Sequence, residues 1–302
     1  MLGFLSIKFF DMRNTPSEVI AVVGHPVSHS ISPTIHSAAF KHLGANAEYL
    51  SPWDVEPKDA PRLAEEMRTR GIRQLAVTIP HKEVALQVAD EVSPIARQIG
   101  AANTLTRQQD DTVHADNTDW IGVRDSLTAH GSWEGKRALV TGAGGAARGS
   151  IHALRQLGMD VYITNRTRER AATLIDEFGI QWGDIGDRYD LLLNVTPVGM
   201  KSLKDPENIT RTPVDRAHLR SGMTVFDTIP NPLETRLLRE AKEAGCETID
   251  GMRMLVFQAI EQLRIWTAVA DPDLSRRVNA ERKELASIMR AAALEKLGVT
   301  DG

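Results

Sequence analysis

A single cysteine, Cys246, stands in the 302 residues. One cysteine excludes an intramolecular disulfide and argues against a cysteine-ligated metal site, so no metal is expected. Cys246 reads instead as a small residue ahead of a strand. Long hydrophobic runs are missing too. No stretch approaches the roughly 18 apolar residues of a membrane span, and the opening MLGFLSIKFF lacks the basic leader and cleavage site of a secretory signal. Charge of one sign is not in excess. The net value of −4 gives no reason to expect a nucleic-acid or membrane partner. There is no internal repeat and no low-complexity segment. What remains is 42% apolar and 25% charged, the balance of a soluble globular protein long enough for two domains. A cytoplasmic location and a small-molecule partner fit this, with a monomer or homodimer expected.

Short apolar runs alternate with helical patterns, which predicts an α/β architecture. Val19–Gly24 reads as a buried strand. Ser32 and Pro33 read as an N-cap followed by proline in the first helical position, with Ile35, Ala39 and Leu43 inward and Gly44 as the stop. Residues 54–70 read as one helix with Leu63 and Met67 inward. Leu75, Val77 and Ile79 alternate with Ala76 and Thr78 as a strand ending at Pro80. A helix from His81 to Ala89, a hairpin over Thr104–Ala115 and a helix over Ile121–Ala129 follow. Residues 132–136 have no periodicity and read as the approach to a second domain. Beyond them strands are expected at 137–141, 160–164, 190–195, 223–227 and 246–249. A long helix over Gly251–Val269 and a charged amphipathic helix from Asp273 to Leu297 end the chain.

The strand Arg137–Thr141 runs into Gly142, Ala143, Gly144, Gly145, Ala146 and Ala147, which match G-x-G-x-x-G/A with alanine in the last place. The first glycine permits the tight turn and the second lets backbone approach a pyrophosphate. The small last residue lets helix and strand pack closely. The helix start adds free N–H groups and a positive dipole end. An ordinary tight strand–helix turn is the alternative. A helix carrying Ala147, Ile151, Leu154 and Leu157 on one face favours the dinucleotide site. The second strand ends in Asn165, Arg166 and Thr167, where an NAD site would place an acid on the ribose hydroxyls. A guanidinium there suits the 2′-phosphate of NADP(H), and Arg170, one helical turn on, could add a contact. Otherwise these arginines are a solvated helix start.

Polar side chains cluster at element ends in the first half. Ser30 and Ser32, two apart, point the same way if the segment is extended. Thr78 and Lys82 flank Pro80 at a strand–helix turn. The helix dipole disfavours a positive charge at Lys82, which suits proton transfer, although surface lysines are usually just solvated. Asn103 and then Asn117, Thr118 and Asp119 close the next two segments. Asp119 in a cleft needs a partner, and Lys82 is the candidate.

Several ordered motifs resemble the shikimate dehydrogenase family, collinearly from about residue 20 to 270. They are Gly24-His-Pro26 through Ser30, Ser32 and His36; Val77-Thr78-Ile-Pro80-His-Lys82; Gly100-Ala-Ala-Asn103-Thr104; Asp116-Asn117-Thr118-Asp119; Gly142 to Arg148; Asn165-Arg166-Thr167; Asn194-Val-Thr196-Pro-Val-Gly199-Met200; and Asp250-Gly251 with Met254, Val256, Gln258 and Trp266. The resemblance implies a substrate-binding α/β domain (1–120), a Rossmann-type dinucleotide-binding domain (121–250) and C-terminal helices (251–302) that return to the substrate domain. It implies reversible, NADP(H)-dependent reduction of 3-dehydroshikimate to shikimate, a step towards chorismate and the aromatic amino acids. Lys82 and Asp119 would form the catalytic pair, with Lys82 as acid–base group. Ser30, Ser32, Thr78, Asn103 and Gln258 would bind substrate together with that pair. Gly142 to Ala146, Asn165, Arg166, Thr167, Arg170 and Thr196 would bind the cofactor, and the Gly251 backbone would meet the nicotinamide.

Three positions depart from the family pattern. Ala76 replaces an asparagine, Pro230 stands where a tyrosine is usual, and Arg253 replaces a small residue near the expected nicotinamide. Alternatives are therefore a quinate or aminoshikimate dehydrogenase of the same family, or a non-catalytic sensor that keeps the cleft.

Overall fold

A computed structural model of the protein describes residues 18–201 and 204–299. The N-terminal stretch read as lacking a signal lies outside them. Seven strands of the first half form one sheet: β1 (Glu18–Gly24), β2 (Ala47–Tyr49), β3 (Trp53–Asp54), β4 (Gln74–Val77), β5 (Glu91–Val92), β6 (Thr104–Arg107) and β7 (Val113–Asp116). Their order is β2-β1-β4-β6-β7-β5, with β3 also on β1. β1 pairs in parallel with β2, β3 and β4, whereas β6 is antiparallel to both β4 and β7. Both faces of β1 are covered, so it reads as a continuous apolar run. Ile20 and Val22 pack with Ile35 and Ala39 of α1 (Ser32–Leu43). Ala21 and Val23 point the other way, towards Leu63 and Met67 of α2 (Leu63–Thr69) and Ala85 of α3 (Lys82–Val88). A short α4 (Pro94–Ile99) precedes β6, and α5 (Asp119–Thr128) follows β7.

The second half is a parallel sheet of β8 (Arg137–Thr141), β9 (Asp160–Thr164), β10 (Gln181–Trp182), β11 (Leu191–Asn194), β12 (Thr224–Asp227) and β13 (Glu247–Ile249), in the order β10-β9-β8-β11-β12-β13. The strand order reverses at β8, which opens a crevice between the carboxyl ends of β8 and β11. Helices α6 (Gly145–Gln156), α7 (Arg168–Phe178) and α8 (Arg236–Glu243) flank this sheet. Helix α9 (Gly251–Ala270) leaves β13 and buries Val256, Ala259, Ile260, Leu263 and Trp266 against Ile20 and Ile35 of the first half. α10 (Pro272–Ala280) and α11 (Arg282–Leu297) extend that layer with Val278, Leu285 and Met289. No helix among the described residues is long and apolar enough to cross a membrane.

Several local expectations give way to competing chemistry. Residues 54–70 are not one helix. Pro57 and Pro61 remove amide donors, so Asp54 ends β3, a 3₁₀ turn spans Ala60–Arg62, and only Leu63–Thr69 is α-helical. Ser32 is not an N-cap. Ile31 takes that position in a helical conformation, and Ser32 is already the first helical residue, which also removes the extended geometry assumed for Ser30 and Ser32. β4 stops at Val77, and Ile79 is 47% exposed rather than inward. The C-terminal helix is two helices joined at Glu281, whose carboxylate binds His42 and Arg277. The two-residue β10 escaped the sequence reading because it is too short for any period. Cys246 is buried ahead of β13 and donates to the Arg220 carbonyl.

Candidate active site

Backbone builds one wall of the crevice. Gly142 follows β8 at φ +111°, and a Cβ there would lie 2.9 Å from Thr196 Cγ2, so only glycine serves both demands. Gly144, the N-cap of α6, faces open space and has no side-chain cap. The first N–H groups of α6 are thus presented as an anion site. Ala147 is fully buried where helix meets strand, and Ala143 and Ala146 are packed beside it. Buried Asn194 ties the strand ends together. Its Oδ1 accepts from Thr141 Oγ1 at 3.0 Å and from the Thr196 amide and hydroxyl at 3.0 and 2.8 Å, while its Nδ2 donates to Asp227 at 3.0 Å. Asp227 also accepts from Thr235 Oγ1, and burial pushes its pKa up to about 6.

After β9, Asn165 Nδ2 donates to the Thr167 carbonyl at 2.8 Å and shapes the turn. Arg166 lies before α7, whose N-cap is Thr167, so Arg166 and Arg170 are not stacked along one helix as the sequence spacing suggested. Both are exposed, and among the described residues neither guanidinium enters a hydrogen bond or ion pair. Arg168, by contrast, stacks on Trp182 with 4.6 Å to the ring centroid. Two free guanidinium groups beside an open glycine turn and an uncapped helix start fit a dinucleotide bearing a further phosphate. Gly251 opens α9, where a Cβ would come within 2.4 Å of the Ile229 carbonyl; packing alone demands glycine there.

Side chains build the opposite wall. Lys82 is the first residue of α3 and Asp119 the first of α5, and Lys82 Nζ meets Asp119 Oδ2 at 2.7 Å with side chains 12% and 5% exposed. Asp119 Oδ1 accepts from Asn103 Nδ2 at 2.9 Å. The same amide reaches Thr118 Oγ1 at 3.0 Å and Gln258 Oε1 at 3.2 Å, so two protons are shared among three acceptors. Asn103 Oδ1 in turn accepts from the Thr118 amide at 2.7 Å. The structure thus gathers Lys82, Asn103, Asp119 and Gln258. Ser30, Ser32 and Thr78 stand apart from this network, with no described hydrogen bond to it. Ser30 Oγ accepts from the Ser32 amide at 3.3 Å, and Thr78 packs on Gly24, where a Cβ would be 2.5 Å from Thr78 Cγ2. The two walls touch: a Cβ on Gly145 would be 3.0 Å from Lys82 Cβ, and one on Gly149 would be 3.1 Å from Asp119 Cβ.

Sequence reasoning gave no role to Thr118, which is fully buried, or to Gln262, whose Nε2 donates to the Asn103 carbonyl at 3.0 Å. It also passed over Gly149 and over Gly122, where a Cβ would lie 2.6 Å from the Met254 carbonyl. A glycine inside a helical pattern is the signal that could have found those two close approaches. Lys204, after β11, reaches His25 Nε2 at 3.2 Å, and His25 Nδ1 pairs with Asp54 at 2.6 Å, a second bridge between the halves. The unusual Arg253 is engaged by His130 Nε2 at 3.1 Å. Among the described residues, His42, Glu281 and Glu284 are the one group whose ligand atoms lie close enough to hold a metal, and Arg277 already occupies Glu281.

Both halves match known families. A model described as the shikimate dehydrogenase substrate binding domain matches residues 22–105, and one described as shikimate / quinate 5-dehydrogenase matches residues 126–232. The shikimate dehydrogenase (NADP(+)) of Natronomonas pharaonis is 41% identical over 262 residues, 84% of this chain and 95% of that protein. A crystal structure of a shikimate dehydrogenase in complex with NADP+ aligns with TM-score 0.80 at 34% identity, covering 94% of this chain and 96% of that one. The Thermus thermophilus shikimate 5-dehydrogenase in complex with NADP(H) and shikimate gives 0.77 at 36%, covering 91% and 99%. With identity of this size spread over both walls of the crevice, the chain belongs to the shikimate dehydrogenase family.

Proposed function

We propose that the protein catalyses the reversible, NADP(H)-dependent reduction of 3-dehydroshikimate to shikimate. The observation that carries this is the Lys82–Asp119 pair at 2.7 Å, held by Asn103 and set against the glycine turn at Gly145. Acid–base groups and a dinucleotide wall thus share one crevice. Within it, Gly142 to Ala146 and the start of α6 would take the pyrophosphate, with Thr196 beside them. Asn165, Thr167, Arg166 and Arg170 would take the 2′-phosphoribose, and the backbone at Gly251 would border the nicotinamide. When bound, the nicotinamide supplies the hydride or receives it.

The protein's own residues do the rest. Lys82 donates a proton to the carbonyl oxygen as it becomes an alkoxide, and its positive charge stabilises that oxygen beforehand. Asp119 holds the Lys82 ammonium in place and accepts from the same substrate hydroxyl. Asn103 and Gln258 line the hydroxyl side of the ring. Ser30, Ser32 and Thr78 would bind the remaining hydroxyl and carboxylate groups. Burial of the pair excludes water that would weaken these interactions.

The test is an absorbance assay of nicotinamide reduction with shikimate or quinate and each of NADP+ and NAD+. The highest kcat/KM should fall on shikimate with NADP+. A higher kcat/KM for quinate would move the protein to the other branch of the family, and no turnover with either substrate would leave the crevice as a binding site only.

A further inference from the structure

Thr196 and Gly251 follow different strands, β11 and β13, and one buried carboxylate stands behind both. Asp227 ends β12 and is fully buried. Its Oδ1 accepts from Asn194 Nδ2 at 3.0 Å and from the Ile229 amide at 3.2 Å, and its Oδ2 accepts from Thr235 Oγ1 at 2.7 Å. Thr235 Oγ1 also accepts from the Leu238 amide at 3.3 Å, which leaves its one proton for Asp227. The orientation of the Asn194 side chain follows from the backbone. The Thr196 N–H can only donate, so the oxygen of Asn194 faces Thr196 and its nitrogen faces Asp227. Asp227 is therefore the shared acceptor of three donors.

Two of those donors lead to the cofactor wall. Asn194 Oδ1 accepts from the amide and hydroxyl of Thr196 at 3.0 and 2.8 Å, and a Cβ on Gly142 would meet Thr196 Cγ2 at 2.9 Å. Asn194 thus holds Thr196 against the glycine turn. On the other side, a Cβ on Gly251 would lie 2.4 Å from both the carbonyl carbon and the oxygen of Ile229. The start of α9 packs directly on the residue whose amide Asp227 holds. We infer that Asp227 is a positioning residue for the cofactor: through Asn194 it sets Thr196 against the glycine turn, and through Ile229 it sets the depth of Gly251 beside the nicotinamide. Asp227 touches neither ligand. Its effect falls on NADP(H) affinity, with shikimate affinity left alone. The inference rests on the proposal that the crevice is the NADP(H) site with Thr196 and Gly251 at its edge.

Equilibrium titration of NADPH fluorescence reads this without turnover, at pH 8, where the carboxylate is ionised. Asp227→Leu keeps a side chain of similar shape and removes the acceptor. It should raise the Kd for NADPH about tenfold, the size of one hydrogen bond, and leave the Kd for shikimate, measured by calorimetry, within about twofold. Asp227→Asn retains an oxygen towards Asn194 and Ile229, so it should stay within about threefold of the wild-type Kd for NADPH. Asn194→Asp covers the case in which Asp227→Leu does not fold. It keeps the acceptor for Thr196, sets two carboxylates against each other, and should also raise the NADPH Kd about tenfold. An unchanged NADPH Kd in whichever of these two variants folds overturns the positioning role. So does an Asp227→Asn protein as weak as Asp227→Leu, or an equal loss of shikimate affinity, which marks a general loosening of the fold. Failure of the wild-type protein to bind NADPH is a separate result: it removes the crevice as the cofactor site, and the positioning role with it.

Discussion

From Arg137 to Arg170 the binding surface is mostly backbone. Gly142 turns at φ +111°, Gly144 faces open space, and the amides of α6 point into the crevice. Around Lys82 the surface is made of side chains delivered by α3, by the residue ahead of β6, by α5 and by α9, and joined through one amide, Asn103. A backbone site needs residues in sequence and fails where a Cβ is forced onto a turn such as Gly142. A side-chain site needs the whole fold and tolerates change until a shared hydrogen bond is cut. The two surfaces should therefore fail in different ways, and four measurements probe that difference.

The largest effect is expected at the junction. Lys82→Ala should lower kcat by about 10²-fold or more while leaving the KM for NADP+ within a few-fold, because the acid–base group is lost and the glycine wall is intact. Steady-state rates with saturating shikimate and NADP+ measure this. An unchanged kcat would take Lys82 out of the chemistry and leave the side-chain wall as a binding surface.

Acid and alkali should weaken the two halves in opposite senses. Buried His36, in the substrate half, has its pKa lowered from 6.5 to about 4. Between those values the unfolded chain holds a proton that the folded chain refuses, so its contribution is present above pH 6.5 and is lost as pH falls, by up to about 3 kcal/mol. Asp227, under the cofactor wall, is raised from 3.8 to about 6. There the folded chain keeps a proton that the unfolded chain releases, so stability is lost as pH rises through that window, on the order of 2–3 kcal/mol. Urea unfolding from pH 4 to 7 should show a shallower acid limb for His36→Asn and a steeper one for Asp227→Asn, since removing Asp227 removes the opposing slope. Parallel curves for wild type and both variants would erase this contrast between the halves.

Much of the glycine wall was legible in the sequence because its physics is local. Gly142, Gly144, Gly145 and Ala147 stand next to one another, and the strand and helix around them carry their own periods. Lys82 and Asp119 were legible as a pair only because Lys82 reads as a helix start and an aspartate in a cleft needs a partner. What the sequence hid was long-range. The closure of Gln258 and Gln262 on Asn103 depends on α9 crossing back to the first half, and no local pattern encodes that crossing. The helix expected over residues 54–70 failed because apolar spacing was weighed above two prolines, and Ser32 was misread because its neighbour Ile31 takes the cap.

The proposed cofactor wall can be sharpened at its two arginines. Arg166 and Arg170 are exposed and unengaged among the described residues, so their charge is available to a phosphate. Arg166→Asp should raise the KM for NADP+ about 10- to 100-fold, the worth of a charge-assisted hydrogen bond plus repulsion, and should not raise the KM for NAD+. Equal KM values for NADP+ in wild type and variant would transfer the preference to Arg170 or to the turn itself.

The smallest effect expected lies at Gln262, and it tests whether α9 belongs to the side-chain wall. Its Nε2 donates to the Asn103 carbonyl at 3.0 Å and to Thr104 Oγ1 at 3.1 Å, with the residue 2% exposed. Gln262→Met keeps the volume and removes both donors, so the Asn103 carbonyl keeps only the Val77 amide and the Thr104 hydroxyl only its bond to Asn103 Oδ1. Stability should fall by about 1–2 kcal/mol. Because Asn103 Nδ2 holds Asp119, the KM for shikimate should rise a few-fold in step, with the KM for NADP+ constant. A loss of stability without any change in the shikimate KM would make α9 a packing helix at this position. Gln258, one turn earlier, would then be its one side-chain contribution to the site.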